Sequence, residues 1–497
     1  MSVRRSASLN LTGPCGARPT NLVVMGQEIT DSRFAESAFA EFRRRLDVET
    51  GLLRDWMAQG RLRSDERRFG FEVEAWLIDA DARPAAYNQA FLAALDDPLV
   101  VPELAQFNFE INSVPQRLEP GALDVMHDAL AERWRHCEQA AATLGARPVL
   151  TGILPTVRSS DLSLDHMSPL QRYRAINEQV FRLRHGAPIE LDIDGVEQLH
   201  HRHADVMLEA ATTSLQILVQ VDADEAARAF NVCKMISAVT VGAAANSPYL
   251  FERQLWAETR IPLFEQAVDV GASDYSKRVT FGVRYAQDSI LECFEANRTR
   301  YPVILPDLMD KPAEELAHLR LHNGTIWRWN RPLIGFDDAG RPHCRIEHRV
   351  IAAGPSPRDA IANCALFLGL FESFMRAPGP IESLLSFVVA RDNFYAAARF
   401  GLDAPLRWVD GAVCTLRDLL ASQLLDTAAG GLSAAGLGNA EIARWLDVIR
   451  GRVERNTTGA DWQVAWIARH GRDFRGLVDA YVRHQADNTP VHEWSLT

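Results

Sequence analysis

The 497-residue sequence has no surplus of positive charge, no paired-cysteine motif and no long apolar run, and each absence removes a class of protein. Lys and Arg total 53 against 65 Asp and Glu, a formal net charge of −12. A surface that neutralises nucleic-acid phosphates or an anionic membrane needs the opposite balance, so both are excluded as general partners. A local basic pocket for a nucleotide is not. Cys15, Cys137, Cys233, Cys293, Cys344, Cys364 and Cys414 are odd in number, widely spaced and without a CxxC pair. That pattern excludes a disulfide or zinc framework and predicts reduced thiols in the cytoplasm. No apolar stretch approaches the roughly 20 residues that cross a bilayer. The first 26 residues carry Arg4, Arg5 and Arg18 and no acid before Glu28, faintly like a transit peptide but without the apolar segment of a secretory signal. Residues 1–30 are expected to be disordered.

What is present is an ordinary globular composition, 47% hydrophobic and 24% charged, with ample material for a core. The length suits about three domains, or one large enzyme domain with appendages. There is no internal repeat. Between 122 and 144, Leu123, Met126, Leu130, Trp134, Cys137, Ala141 and Leu144 recur at steps of three and four before Gly145, which predicts an amphipathic helix. A second helix is expected after Asp222 and Glu225, which have capping-box spacing, and a third from Ser356-Pro357. Strand signals fade after about 400. The run GGLSAAGLG at 430–438 reads as a hinge and 439–487 as helices. The expected division is a catalytic domain over 31–400 and a helical region over 401–497.

The informative feature is four short strands with one apolar and one polar face. In 69–78, Phe69, Phe71, Val73, Ala75 and Leu77 alternate with Gly70, Glu72, Glu74 and Trp76, which sets two carboxylates on one face about 6.8 Å apart. In 106–112, Phe107, Phe109 and Ile111 oppose Gln106, Asn108, Glu110 and Asn112. In 214–221 the polar side holds Gln216 and Gln220, and in 343–350 it holds His343, Arg345, Glu347 and Arg349. One core face and one wet face per strand favours an α+β fold on a mainly antiparallel sheet. Solvent is the default partner for such faces, yet Glu is disfavoured in strands, and neighbouring carboxylates repel unless cations lie between them. Oxygen donors without a His or Cys cluster select Mg²⁺, with Mn²⁺ as the alternative. Arg345 and Arg349 beside Glu347 add the charge that holds a transferred phosphoryl group.

The segments FGFEVEAWLID (69–79), AQFNFEINSVPQRLEPG (105–121), SPLQRYRAINE (168–178), TTSLQILVQVDADEAARAFN (212–231), AAANSPYLF (243–251), HNGTIWRWNRP (322–332) and RIEHRVIAAGPS (345–356) together resemble the glutamate-cysteine ligases. These are ATP-dependent carboxylate-amine ligases with a glutamine synthetase-like fold, its curved sheet carrying the active site on the concave face. The resemblance implies ATP and two or three Mg²⁺ ions. Glu72 and Glu74 would hold different ions, Glu110 would join Glu74, and Gln216 and Glu347 would join Glu72 near the γ-phosphate. Some relatives carry His where this chain has Gln216. Arg349 and Arg345 would neutralise the phosphate, with Gln216, Trp327 and Arg349 toward the nucleotide. Arg172, Arg174, Gln220 and Asn112 would contact the small-molecule substrates, glutamate or a similar carboxylate and an amine such as cysteine. The segment 455–463, RNTTGADWQ, also looks like the end of bacterial relatives, without an evident mechanism. Alternatives are a ligase for another carboxylate and amine, or an inactive scaffold of the same fold. His200, His201 and His203 lack the spacing of a zinc helix and read as surface or loop histidines. Trp327 and Trp329 are expected to share a strand face.

Overall fold

The computed structural model describes residues 28–29, 33–63, 66–271 and 276–497. The disorder expected of the N-terminal segment falls on residues 1–27 for the most part, outside the described residues, as does Cys15. Eight strands make the main sheet: β1 (Arg68–Ile78), β2 (Val100–Pro102), β3 (Asn108–Asn112), β4 (Gln116–Arg117), β5 (Arg147–Val149), β6 (Ser214–Val221), β7 (Asn330–Phe336) and β8 (Pro342–Ala352). Their spatial order is β7-β8-β6-β1-β3-β2, with β4 and β5 also paired to β1. Every pairing is antiparallel. The sheet is curved and the fold is glutamine synthetase-like α+β, as the alternation of the four strands and the resemblance led one to expect.

Register turns separate sequence positions into one surface. Residues directly opposite each other in an antiparallel pair share a face. Glu72 pairs with Asn112 on one side and Gln216 on the other, and Glu74 pairs with Glu110. Glu347 pairs with Leu218 and Arg331, and Arg345 with Gln220 and Leu333. A register shift between His348 and Ile351 re-aims the end of β8. The opposite face, with Phe71, Val73, Ile217 and Ile346, joins the main apolar core.

That core is closed by helices. The described helices include α1 (Glu36–Ala58), α2 (Ala122–Ala142), α3 (Gln171–Leu183), α4 (Ala226–Ala243), α5 (Ala317–Gly324), α6 (Pro357–Arg376), α7 (Phe387–Phe400), α8 (Leu425–Ala434), α9 (Asn439–Arg455), α10 (Gly459–His470) and α11 (Phe474–Ala486). The periodicity of α2 is realised, with Leu123, Met126, Leu130, Trp134 and Cys137 buried. So is the start of α6, where the Ser356 hydroxyl accepts from the Asp359 N–H at 3.1 Å and proline takes the first position. The Asp222–Glu225 capping box does not form. α4 begins at Ala226 without a side-chain cap, and Glu225 instead pairs with Arg67 at 2.6 Å. The 430–438 run is not a hinge either. Its first half lies inside α8, where Gly431 meets Gly369 of α6 so closely that a Cβ on Gly431 would fall 1.9 Å from the Gly369 carbonyl oxygen. Glycine here permits helix-to-helix contact.

The region after residue 400 is tied to the centre by buried polar bonds. Arg452 of α9 donates to the Ala243 carbonyl at the end of α4 at 3.0 Å and pairs with Asp359 at 2.7 Å. Gln463 of α10 donates to Asn246 Oδ1 at 2.9 Å, and Asn246 Nδ2 donates to the Tyr481 hydroxyl at 2.8 Å. The RNTTGADWQ segment therefore has a structural role: Thr458 and Asp461 form a capping box that starts α10 and delivers Gln463 to Asn246. The histidine cluster lies on a hairpin, where His203 bonds Asp205 at 2.8 Å and His200 faces away toward Asp192 at 3.1 Å.

Candidate active site

The polar faces, expected to carry the active site, line a cavity of about 240 Å³ with both charged and apolar lining. Of its polar lining, Glu72, Glu74 and Glu110 come from β1 and β3 and Gln216 from β6. Carboxylate oxygens of Glu74, Glu103 and Glu110 lie within 4.8 Å of one another. Glu74 accepts from the Ser214 N–H at 2.6 Å and from Gln216 Nε2 at 2.8 Å, and Glu110 accepts from Asn112 Nδ2 at 2.9 Å. Glu72 Oε2 is buried with no hydrogen-bond partner.

The electrostatic cost of this arrangement is legible in each acid. Burial, followed by the charge of Glu347, pushes the Glu72 carboxyl up to about 8. Burial and then Glu103 raise Glu74 to about 7. Burial, reinforced by Glu72, Glu103 and Glu74, lifts Glu110 well above the ordinary range. Burial and mutual repulsion thus disfavour the ionised form of all three, and a cation among them would restore it. A set of desolvated carboxylates with mutually close oxygens, one oxygen unsatisfied and no His or Cys, fits a hard divalent cation.

Facing them are arginines. Burial works to raise the Glu347 carboxyl, but Arg331 and Arg349 together hold it below the usual range. Arg331 grips it with two bonds of 2.8 and 3.1 Å, and Arg349 donates to it at 3.0 Å and to the Gln216 side-chain oxygen. Glu347 is fully buried and lies behind the cavity wall instead of in it. Arg345 lines the cavity with its Nε buried and unpartnered. The apolar lining includes Phe294, Leu305, Leu319, Trp327, Leu333 and Ile334.

Eight expected site residues therefore meet on one cavity: Glu72, Glu74, Glu110, Gln216, Arg172, Trp327, Arg345 and Arg349. Four do not line it, Glu347 behind the wall being the first. Asn112 stands behind Glu110, Arg174 is exposed on α3, and Gln220 lies at the other end of β6 in a separate cleft with Arg67 and Glu372. The tryptophans do not share a strand face. They precede β7, and Trp329 turns into the core with its Nε1 on Glu265 at 2.7 Å. Sequence reasoning missed Glu103, Glu209, Arg331 and Arg320. Glu103 carried a signal, since a lone acid after the apolar run Val100–Pro102 faces inward for a reason.

A sequence profile of glutamate-cysteine ligase family 2 matches residues 68–480. The chain belongs to that family. This ligase is accordingly an ATP-dependent enzyme of the amide-forming, carboxylate-amine class. Its fold is similar to that of the glutamate-cysteine ligase from Francisella tularensis solved in complex with AMP, at 10% identity and a TM-score of 0.51 over 88% of this chain and 91% of that one. It also resembles a bifunctional glutathione synthetase from Pasteurella multocida at 10% identity, 86% and 53% coverage and a TM-score of 0.44. No curated protein sequence matches the ligase. Among the described residues no helix is long and apolar enough to cross a membrane.

Proposed function

We propose that this ligase uses ATP to activate the γ-carboxylate of glutamate as an acyl phosphate and joins it to the amine of cysteine or a related amino acid, in the cytoplasm. The observation that carries the reading is that Glu72, Glu74, Glu103 and Glu110, the guanidinium groups of Arg345 and Arg349, and apolar side chains including Trp327 meet in one cavity. A free carboxylate resists amines because its leaving group is poor, and phosphorylation supplies one. No protein nucleophile is required. Glu72, Glu74, Glu110 and Gln216 would hold Mg²⁺, and Glu103, whose oxygens join the same cluster, extends that set, whereas Glu347, expected as a ligand, stands outside the cavity with both oxygens held by Arg331 and Arg349 and would act through Arg349. When bound, Mg²⁺ supplies the positive charge that neutralises the β- and γ-phosphates.

The chain's own groups divide the remaining work. Arg345 and Arg349 donate to the γ-phosphoryl oxygens as negative charge moves onto them. Arg349 arrives pre-aimed because Glu347 holds it. Trp327 and the leucines of the lining exclude water and bury the adenine. Arg172 lies within the electrostatic reach of Glu103, so one corner offers a cation and an anion side by side. That corner matches an amino acid, with the carboxylate on Arg172 and the ammonium near Glu103 and Glu209.

Purified protein given glutamate, cysteine and Mg-ATP is expected to release ADP and phosphate and to form a product of γ-glutamyl mass, and a panel of amines identifies the preferred acceptor. ADP release that needs no amino acid overturns the reading.

A further inference from the structure

The Leu291–Arg300 helix and the Trp327–Arg328 segment contribute adjacent residues to two different cavities. Phe294 and Trp327 line the catalytic one, while Cys293 and Arg328 line another of about 70 Å³. The polar lining of this second cavity is cationic. Lys234, Arg284, Arg300 and Arg328 face it, and its carboxylate, Glu292, is already paired with Arg284 at 2.7 Å. Among the described residues, none of the other three cations has a carboxylate partner.

Two of these charges are deeply buried. Arg328 is 6% exposed, its Nη1 has no hydrogen-bond partner, and its guanidinium lies 5.2 Å from the ring centre of Tyr301. Lys234, 1% exposed, donates to the Phe281 carbonyl and lies 4.7 Å and 4.8 Å from the ring centres of Phe230 and Phe281. Gly282, at φ +100°, makes room for it, because a Cβ there would fall 2.9 Å from Nζ. The Tyr285 hydroxyl, also on the cavity, is buried without a partner. An unpaired buried guanidinium is strongly unfavourable unless an anion compensates it.

We propose that this cavity is a second anion site, separate from the catalytic one, that binds one small free dianion of the phosphate class. Arg328 and Arg300 supply fixed positive charge, and the Lys234 amine, which burial draws down to about 7, takes up its proton fully once an anion sits beside it, so the lining matches a dianion better than a monocarboxylate, and a guanidinium fork suits tetrahedral oxyanions. The volume is well below that of a nucleotide pocket. The reaction proposed above releases such an ion, and an occupant drawing on Arg328 bears on Trp327 next to it, but the site itself stands whichever substrates the ligase joins.

Thermal unfolding tests this with the catalytic cavity filled by magnesium and a non-hydrolysable ATP analogue. Orthophosphate is expected to raise the wild-type midpoint by roughly 2–4 °C more than acetate at equal ionic strength. Arg328→Met and Arg300→Ala each remove most of that increment. Arg300 is exposed, so its variant keeps the fold even where a change at Arg328 disturbs it. No increment over acetate in the wild type, or the same increment in both variants, overturns the proposal.

Discussion

Glu72→Gln is expected to make the metal-free ligase more stable, and increasingly so as the pH rises. Glu72 is 5% exposed with one oxygen unsatisfied, and burial holds its carboxyl at about 8 against 4.5 when unperturbed. A carboxyl raised on folding keeps its proton when the unfolded chain has released it. Its stabilisation is therefore complete below 4.5 and is lost as the pH climbs to about 8. At about 1.4 kcal/mol per pH unit above 4.5, the unfolded state gains about 3 kcal/mol by about pH 7. An amide of the same shape escapes this penalty. Urea midpoints in EDTA should thus show a variant advantage under about 1 kcal/mol near pH 5 that grows to about 3 kcal/mol near pH 7. With magnesium and nucleotide the order reverses, because the wild type gains binding free energy that the neutral amide forfeits. A variant less stable than the wild type without metal at neutral pH, or an advantage that does not change with pH, refutes the reasoning.

Glu347→Gln has the opposite sign. It strips the shared carboxylate from two buried guanidinium groups and should cost about 3–5 kcal/mol, read from the same urea midpoints. Glu110→Gln leaves those ion pairs intact but weakens the acidic wall, and should raise the magnesium needed for half-maximal ADP release by about tenfold or more. The glycine pair separates contact from flexibility. Gly431→Ala drives a methyl group into the Gly369 carbonyl and should cost about 1–3 kcal/mol, whereas Gly430→Ala, with open space around its Cβ, should stabilise the helix by about 0.5–1 kcal/mol in thermal unfolding.

Alternation in β1, β3, β6 and β8 was enough to name the sheet and its acidic face, because a period of two is local. What alternation could not show was whether that face met water. Only the tertiary arrangement turns it into a cavity, by bringing α5 and the Trp327 segment across it. Glu209 lies on a six-residue 3-10 helix and Arg320 on the short α5, and neither has a periodic neighbour to mark its direction. Gln220 has the parity of Gln216 but not its place along the strand, so it reaches a different cleft. The glycines at 430 and 431 show the limit of composition: the same residue that loosens a loop also lets two backbones touch.

The Arg452 clasp bears on how this polypeptide can be shortened. Stopping the chain near residue 400 would release the Ala243 carbonyl at the end of α4, strip the buried Asp359 of its arginine and uncover the face of α6 that α8 packs on. A minimal enzyme carved from the sheet alone would therefore precipitate before it could be assayed, and any dissection has to carry its final hundred residues along.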